Sequence, residues 1–224
     1  MFDVAAKINP MAPSENRIQE LLEPFGLQLD SQKVSRLKTY LELLLRWNAR
    51  INLTAIRDAE ECVTRHFGES LFLSRYEQLR GSLLDIGSGA GFPGLALKII
   101  FPELEITLLE PVAKKRAFLK EVARQCRFEK VGVSSQRLEE ISGSDLRFDA
   151  ATARAVGQME RLVTQAASIL VQGGRLHLWL SCEQATRLKP RSKGLQWVRQ
   201  VDLPLSRGRV ILTGGLGQST FMTP

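Results

Sequence analysis

The chain has 224 residues, of which 44% are hydrophobic and 25% charged, a balance that argues against wholesale disorder and leaves room for one α/β domain with a modest extension. The formal net charge of +7 suits a polyanion such as nucleic acid or an acidic membrane surface, or else marks no more than a mildly basic globular protein. Three cysteines, Cys62, Cys126 and Cys182, stand far apart with no CxxC pair, which argues against a disulfide framework and against a metal site, and for free thiols in a reducing compartment.

The first residues, MFDVAAKINPMAPSEN, contain no apolar core of a signal peptide, and no apolar run approaches the ~18 residues of a spanning helix. The expectation is a cytoplasmic protein with no membrane partner, with Met11 as an alternative start because the residues before it show no pattern. Up to about Gln78 the periodicity is helical. Pro24 and Gly26 end a first short helix, and Asp30 and Ser31 offer capping oxygens to a longer one. In that second helix Val34, Leu37, Tyr40, Leu41, Leu44, Leu45 and Trp47 form one apolar stripe. A third helical segment is predicted over Ala59 to Leu73, with no strand signal in this region.

From Gly81 the pattern becomes strand, turn, helix, repeated. Strands are predicted at Leu83 to Ile86, Ile106 to Leu109, Val131 to Ser134, Asp149 to Ala153, Arg175 to Leu180, Trp197 to Leu203 and Arg209 to Leu212. Helices are predicted at Leu95 to Ile100, Val112 to Gln125 and Val156 to Leu170, and the tail after Gly214 reads as loose. Alternation of this kind means βαβ units and a mostly parallel sheet of seven strands with helices on both faces, a Rossmann-like α/β fold. The chain divides into a helical extension, residues 1–78, and a sheet domain, residues 79–224, expected to form one structural unit.

The segment LLDIGSGAGFPG, Leu83 to Gly94, places four glycines where the first strand must become a helix. Glycine permits both the tight turn and a close approach of ligand to backbone, so the turn reads as a nucleotide-cofactor site. Gly89, Gly91 and Gly94 also satisfy GxGxxG, which leaves a dinucleotide open. Glu110, at the end of the second strand, can accept ribose hydroxyls from either kind of cofactor. Asp85 discriminates: its carboxylate would repel a diphosphate and attract the sulfonium and ammonium of S-adenosyl-L-methionine. Arg137, Leu138 and Glu139 follow the third strand and could face an adenine edge, or simply start an exposed helix. Arg154, after the fourth strand, could touch the cofactor carboxylate or substrate, or form a surface ion pair.

Taken in order, RWNARINLTAIRD, VTRHFGESL, LLDIGSGAGFPG, ITLLEP, KKRAFL, QRLEE and FDAATARAV resemble the bacterial 16S rRNA (guanine-N7) methyltransferases, the RsmG or GidB family, from Tyr40 to Gly174. The resemblance implies a class I methyltransferase fold and a cofactor site at Gly87, Gly89 and Phe92 in the turn, with Asp85 and Glu110 beside it. Leu138 and Glu139 would make the adenine-side contact, and Arg154 a further cofactor contact. It also implies RNA or active-site roles for Asn52, Arg65, His66, Lys115 and Arg116, although Asn52, Thr54 and His66 could equally dock the helical extension onto the sheet. One departure stands out: related chains carry a Lys-Gly pair after the strand that follows Gly173 and Gly174, where this sequence reads LWLSCEQA.

Guanine N7 offers a lone pair and has no proton to lose, so the reaction implied needs in-line placement and no general base. Neither a nucleophile–base pair nor a metal cluster is visible in the sequence, as that chemistry allows. Three basic groups could hold 16S rRNA of the small subunit: Arg46, Arg50, Arg57 and Arg65; Lys114, Lys115, Arg116, Lys120 and Arg124; and Arg187, Lys189, Arg191 and Lys193. A monomer is expected. The alternatives are a nicotinamide-dependent oxidoreductase on the same turn and a non-catalytic RNA-binding assembly factor that retains the fold.

Overall fold

The computed structural model describes residues 12–154, 157–190 and 194–217. The helical region opens with α1, Glu15–Leu22, capped by Ser14, whose hydroxyl accepts the Arg17 amide at 3.2 Å. A 3-10 turn over Glu23–Phe25 follows, and Gly26 ends it in the left-handed region at φ 64°. Helix α2, Ser31–Ile51, starts at Asp30, which accepts the Lys33 amide at 2.8 Å, and ends at Asn52 with φ 51°. The predicted apolar stripe of α2 faces inward, with Leu37, Tyr40, Leu41 and Leu44 fully buried. The third helical segment is continuous but irregular: α3, Ala59–Cys62, then a π-helical stretch over Val63–Gly68, α4, Glu69–Leu71, and a 3-10 turn over Phe72–Arg75.

The sheet is built from β1 Ser82–Ile86, β2 Glu105–Leu109, β3 Val131–Ser134, β4 Phe148–Arg154, β5 Leu170–Ser181, β6 Gln196–Asp202 and β7 Arg209–Gly215, in the order β3-β2-β1-β4-β5-β7-β6. Pairings are parallel except those of β7, which runs antiparallel to both neighbours. Between the strands lie α5 Gly94–Leu97, α6 Ala113–Gln125, α7 Leu138–Ile141, α8 Met159–Ile169 and α9 Cys182–Leu188. The predicted helix at Leu95 to Ile100 is shorter than expected and starts on Gly94. The fifth strand is longer, beginning at Leu170, because Leu170 already pairs with Phe148 across a bulge. Its far end runs straight into α9: the Ser181 hydroxyl accepts the Gln184 amide at 3.1 Å and Gln184 Oε1 accepts the Ser181 amide at 2.9 Å. The place of the missing Lys-Gly pair is thus a closed helix cap.

Two apolar layers cover the sheet. Leu83 faces the layer shared with α2, α5, α6 and the third helical segment, while its neighbour Leu84 faces the layer of α7, α8 and α9, as a period of two requires. One continuous core therefore joins the helical extension to one face of the sheet. The register aligns Ile86 with both Leu109 and Ala153, so the residues after β1, β2 and β4 emerge at one level. Between β1 and β4 the strand order reverses direction, the position where open α/β sheets hold ligands. Among the described residues no helix is long and apolar enough to cross a membrane.

Candidate functional site

A cavity of about 320 Å³ opens at this switch point, lined by Ile86 and Gly87 at the end of β1, Leu109 at the end of β2 and Pro111 beyond it, Gln136 to Glu139 after β3, and Gln158, Arg161 and Gln165 on or next to α8. Gly87, Gly89 and Gly91 take φ of 70°, 57° and 89°, a backbone that side chains resist, and this curls the turn around the carboxyl end of β1. Glu110 is buried beside it and is held by two backbone amides, Gly89 on Oε2 at 2.9 Å and Val112 on Oε1 at 2.8 Å. Each carboxylate oxygen keeps a lone pair for a further donor.

Asp85 is fully buried beneath the turn. Its Oδ1 accepts the Thr152 hydroxyl at 2.7 Å, whereas Oδ2 has no partner. Burial pushes its carboxyl up to about 6, against the opposing pull of the Thr152 hydrogen bond, while the Ser88 hydroxyl donates to the Asp85 backbone carbonyl at 3.1 Å. Leu138 lines the cavity floor at the start of α7, and Glu139 stands at the rim with its carboxylate 3.8 Å from the Arg161 guanidinium.

Phe92 and Arg154 occupy the other side of the turn, away from the residues that line this cavity. Phe92 is buried in a cluster of rings: His66 lies parallel to it at 4.7 Å, Tyr40 at 5.3 Å, and Phe67 meets it edge-on at 5.0 Å. His66 Nε2 is 2.8 Å from the Thr54 hydroxyl, and Nδ1 is buried without a partner. Burial, with the positive charges of Arg154, Arg65 and Arg209, pushes the His66 imidazole down to about 3, so it is neutral. Arg154 is an interior residue rather than a surface one: one of its nitrogens lies 3.1 Å from Glu69 Oε2, while Nη1 is buried and unpartnered. Glu69 also binds Arg209 on β7 through both oxygens, at 2.5 and 3.0 Å, and its backbone carbonyl accepts the Trp179 indole N–H at 2.8 Å.

The residues matched to RNA contact fall into two kinds. Asn52 ends α2 and accepts the Arg57 guanidinium at 3.2 Å, and Arg116 donates to the carbonyls of Glu110 and Pro111 at 3.0 and 2.6 Å. Asn48 clamps the intervening loop, donating to the Ile56 carbonyl and accepting the Thr54 amide. Asn52, Thr54 and Arg116 are thus engaged within their own segments, and of these four only His66 is seen to reach the glycine turn, through Phe92. Arg65 is exposed and ion-paired with Glu61 at 3.0 Å, and Lys115 is half-buried on the first turn of α6. Trp47 packs on Phe118, which brings the end of α2, with exposed Arg46 and Arg50, next to α6. Arg191 and Lys193 lie outside the described residues, as does the predicted helix start at Val156.

Sequence reasoning read Tyr40 only as one member of an apolar stripe and did not single out Glu69, Arg161 or Arg209. A tyrosine in an otherwise aliphatic stripe is a usable signal, since a buried hydroxyl needs a partner. For Arg209 there was none, because its partner is 140 residues away.

The family described as GidB, rRNA small subunit methyltransferase G, matches residues 33–201. The chain belongs to this family. It is 36% identical over 179 residues to the ribosomal RNA small subunit methyltransferase G of Alkaliphilus metalliredigens, a match covering 78% of this chain and 73% of that protein. Identity to the protein of the same name from Xylella fastidiosa (strain M23) is 45% over 150 residues, covering 67% of this chain and 70% of that one. Among solved structures, the methyltransferase from Pyrococcus furiosus is similar with a TM-score of 0.59 over 82% of this chain and 99% of that chain, and at 19% identity the likeness speaks for the fold alone. A member of the methyltransferase G family with a class I methyltransferase fold is therefore an enzyme that transfers methyl groups, and the expected family and fold hold.

Proposed function

We propose that this protein uses S-adenosyl-L-methionine to methylate N7 of a guanosine in 16S rRNA of the small ribosomal subunit. The observation that carries the cofactor reading is Asp85, a buried carboxylate with one oxygen unpartnered at the base of a glycine turn. Such a group suits the cationic end of S-adenosylmethionine and repels the diphosphate of a nicotinamide cofactor. Arg154 Nη1, buried and equally unpartnered, suits a carboxylate. Gly87, Leu138 and Glu139 would hold the adenosine portion, Glu110 the ribose side, and Gly89 and Phe92 the turn itself.

When bound, the cofactor supplies an electrophilic methyl group. The chain's own contribution is placement: Asp85 and Arg154 fix the amino-acid end, and the walls of the cavity fix the nucleoside end, so that a guanine can be presented in line. No side chain has to remove a proton, since N7 carries none. RNA would be held by the basic residues around the site, Arg46, Arg50, Arg65 and Lys115 foremost, with Asn52, His66 and Arg116 building the loops that present them. Residues 1–78 and 79–224 would work as one unit, as a monomer in the cytoplasm, without a metal.

Incubating the purified protein with methyl-labelled S-adenosylmethionine and small ribosomal subunits, then mapping the label, tests this reading. Label at a guanine N7 is the expected result. Binding of S-adenosylhomocysteine without incorporation into subunits or naked RNA would instead favour a non-catalytic assembly factor, and NADH binding with no response to S-adenosylhomocysteine an oxidoreductase.

A further inference from the structure

The glycine turn is held in place by a helix that carries no cofactor motif. Tyr40, in the middle of α2, is fully buried and donates its hydroxyl to the Ala90 carbonyl at 2.6 Å. The amides of Gly91 and Phe92 both turn back to the Ser88 carbonyl, and no backbone donor among the described residues reaches Ala90. The Tyr40 hydroxyl also occupies the space that a side chain at position 91 would need, and its ring lies parallel to Phe92 with an interplanar angle of 11°. His66 lies parallel to the same ring at 14°. Two residues of the helical extension thus grip the segment from Ala90 to Phe92 by one hydrogen bond and two stacked rings.

We propose that Tyr40 is a positioning residue for cofactor binding, acting through the Ala90 carbonyl and the Phe92 ring, so that the helical extension is part of the cofactor site. The proposal rests on reading the glycine turn as the seat of S-adenosylmethionine. A buried carbonyl that loses its only donor is costly, and the turn can relieve that cost by tilting toward water. Tilting moves Gly89 and Gly91 off the geometry that admits the ligand, whereas the sheet beneath, held by its own ladders, stays as it is. The effect therefore falls on affinity for the cofactor rather than on the methyl-transfer step or on RNA.

Tyr40→Phe keeps the ring and removes only the hydroxyl. The control is Val34→Ala, a buried change six residues earlier on the same helix that lowers stability without touching the turn. For Tyr40→Phe the expected result is a roughly tenfold rise in the Kd for S-adenosylhomocysteine by calorimetry, the size of losing one buried hydrogen bond. The KM for S-adenosylmethionine should rise with it, while kcat and the KM for RNA stay within about twofold of the parent. Val34→Ala should lower Tm by at least as much and leave the Kd unchanged. An unchanged Kd in Tyr40→Phe, or an equal loss of affinity in Val34→Ala, overturns the positioning role while the functional reading stands. If the parent protein itself binds no S-adenosylhomocysteine, both fall together.

Discussion

Thr152 on β4 donates its hydroxyl to Asp85 on β1 at 2.7 Å, and the second oxygen of that carboxylate is buried with no partner at all. The fold therefore holds a charge that it only half satisfies, directly under the turn proposed to take a cationic ligand. Because burial lifts the Asp85 carboxyl from 3.8 to about 6, the folded state binds this proton more tightly than the unfolded chain does. Its contribution to stability then declines as pH rises from about 4 to about 6 and stays low above that, by about 3 kcal/mol. Asp85→Asn keeps an acceptor for Thr152 and removes the charge. Subtracting urea unfolding curves of parent and variant should show the variant at least as stable at pH 7, with the difference vanishing below pH 4. Its affinity for S-adenosylhomocysteine should nevertheless fall tenfold or more. A variant that is less stable at pH 7 and binds normally would contradict both halves.

Gly94 touches the same carboxylate from the other side. A Cβ on Gly94 would stand 2.5 Å from Asp85 Cγ, with no room to withdraw because Asp85 is enclosed by the sheet. Gly94→Ala must push either the start of α5 or the Asp85 side chain. Overpacking of this kind costs about 1–3 kcal/mol. The expected outcome is a lower urea midpoint together with weaker S-adenosylhomocysteine binding. Gly87→Arg provides the contrast: Gly87 lines the open cavity, so the arginine should abolish binding, and its left-handed backbone, at a cost of about 1–2 kcal/mol, should still leave a folded protein, as judged by far-ultraviolet circular dichroism.

What was legible in the sequence is what is decided locally. Asp30 caps α2 and Gly26 terminates the segment before it because each acts on amides and carbonyls within a few residues. The glycine turn and its flanking acid, Asp85, were legible for the same reason, and seven strands were found because their apolar runs are short and bounded by turns. The limits lay in long-range contacts. Leu170 joins β5 only because Phe148 lies alongside, and Arg154 becomes an interior ion pair only because Glu69 arrives from a helix 85 residues earlier in the chain. Pattern reading ended the fourth strand at Ala153, whereas Arg154 still pairs with Trp179 as the last residue of β4, and the pattern could not decide between cofactor, substrate and surface. Phe92 was matched to the cofactor by resemblance, and only its placement shows that three rings from the helical extension surround it.

Glu69 is the joint between the helical extension and the sheet. With 3% of its side chain exposed, it neutralises Arg154 on β4 and Arg209 on β7 at once. Replacing it with alanine would leave two guanidinium groups facing each other without a counter-charge, a situation that costs about 3–5 kcal/mol when one partner of a buried pair is removed. Glu69→Ala is expected to unfold at a markedly lower urea concentration. Because Arg154 loses the group that aims it, methylation should also fall at temperatures where the variant remains folded. Full activity in that folded variant would show that Arg154 needs no such support.

The RNA surface makes a different kind of prediction, because its charges act through solvent. Arg46 and Arg50 are exposed on the last turns of α2, which packs on α6 through Trp47 and Phe118. A contact between arginine and phosphate releases condensed counterions, so each one removed should flatten the dependence of log K on log salt by about 1. Arg46→Ala and Arg50→Ala should each weaken binding to small-subunit RNA at low salt, and the double variant should lose both increments together. The Kd for S-adenosylhomocysteine and the urea midpoint should not move, since neither side chain supports the turn or the core. Filter binding across a salt series separates this from a structural effect: a loss of RNA affinity with an unchanged salt slope would mean that these arginines act on shape and do not touch phosphate.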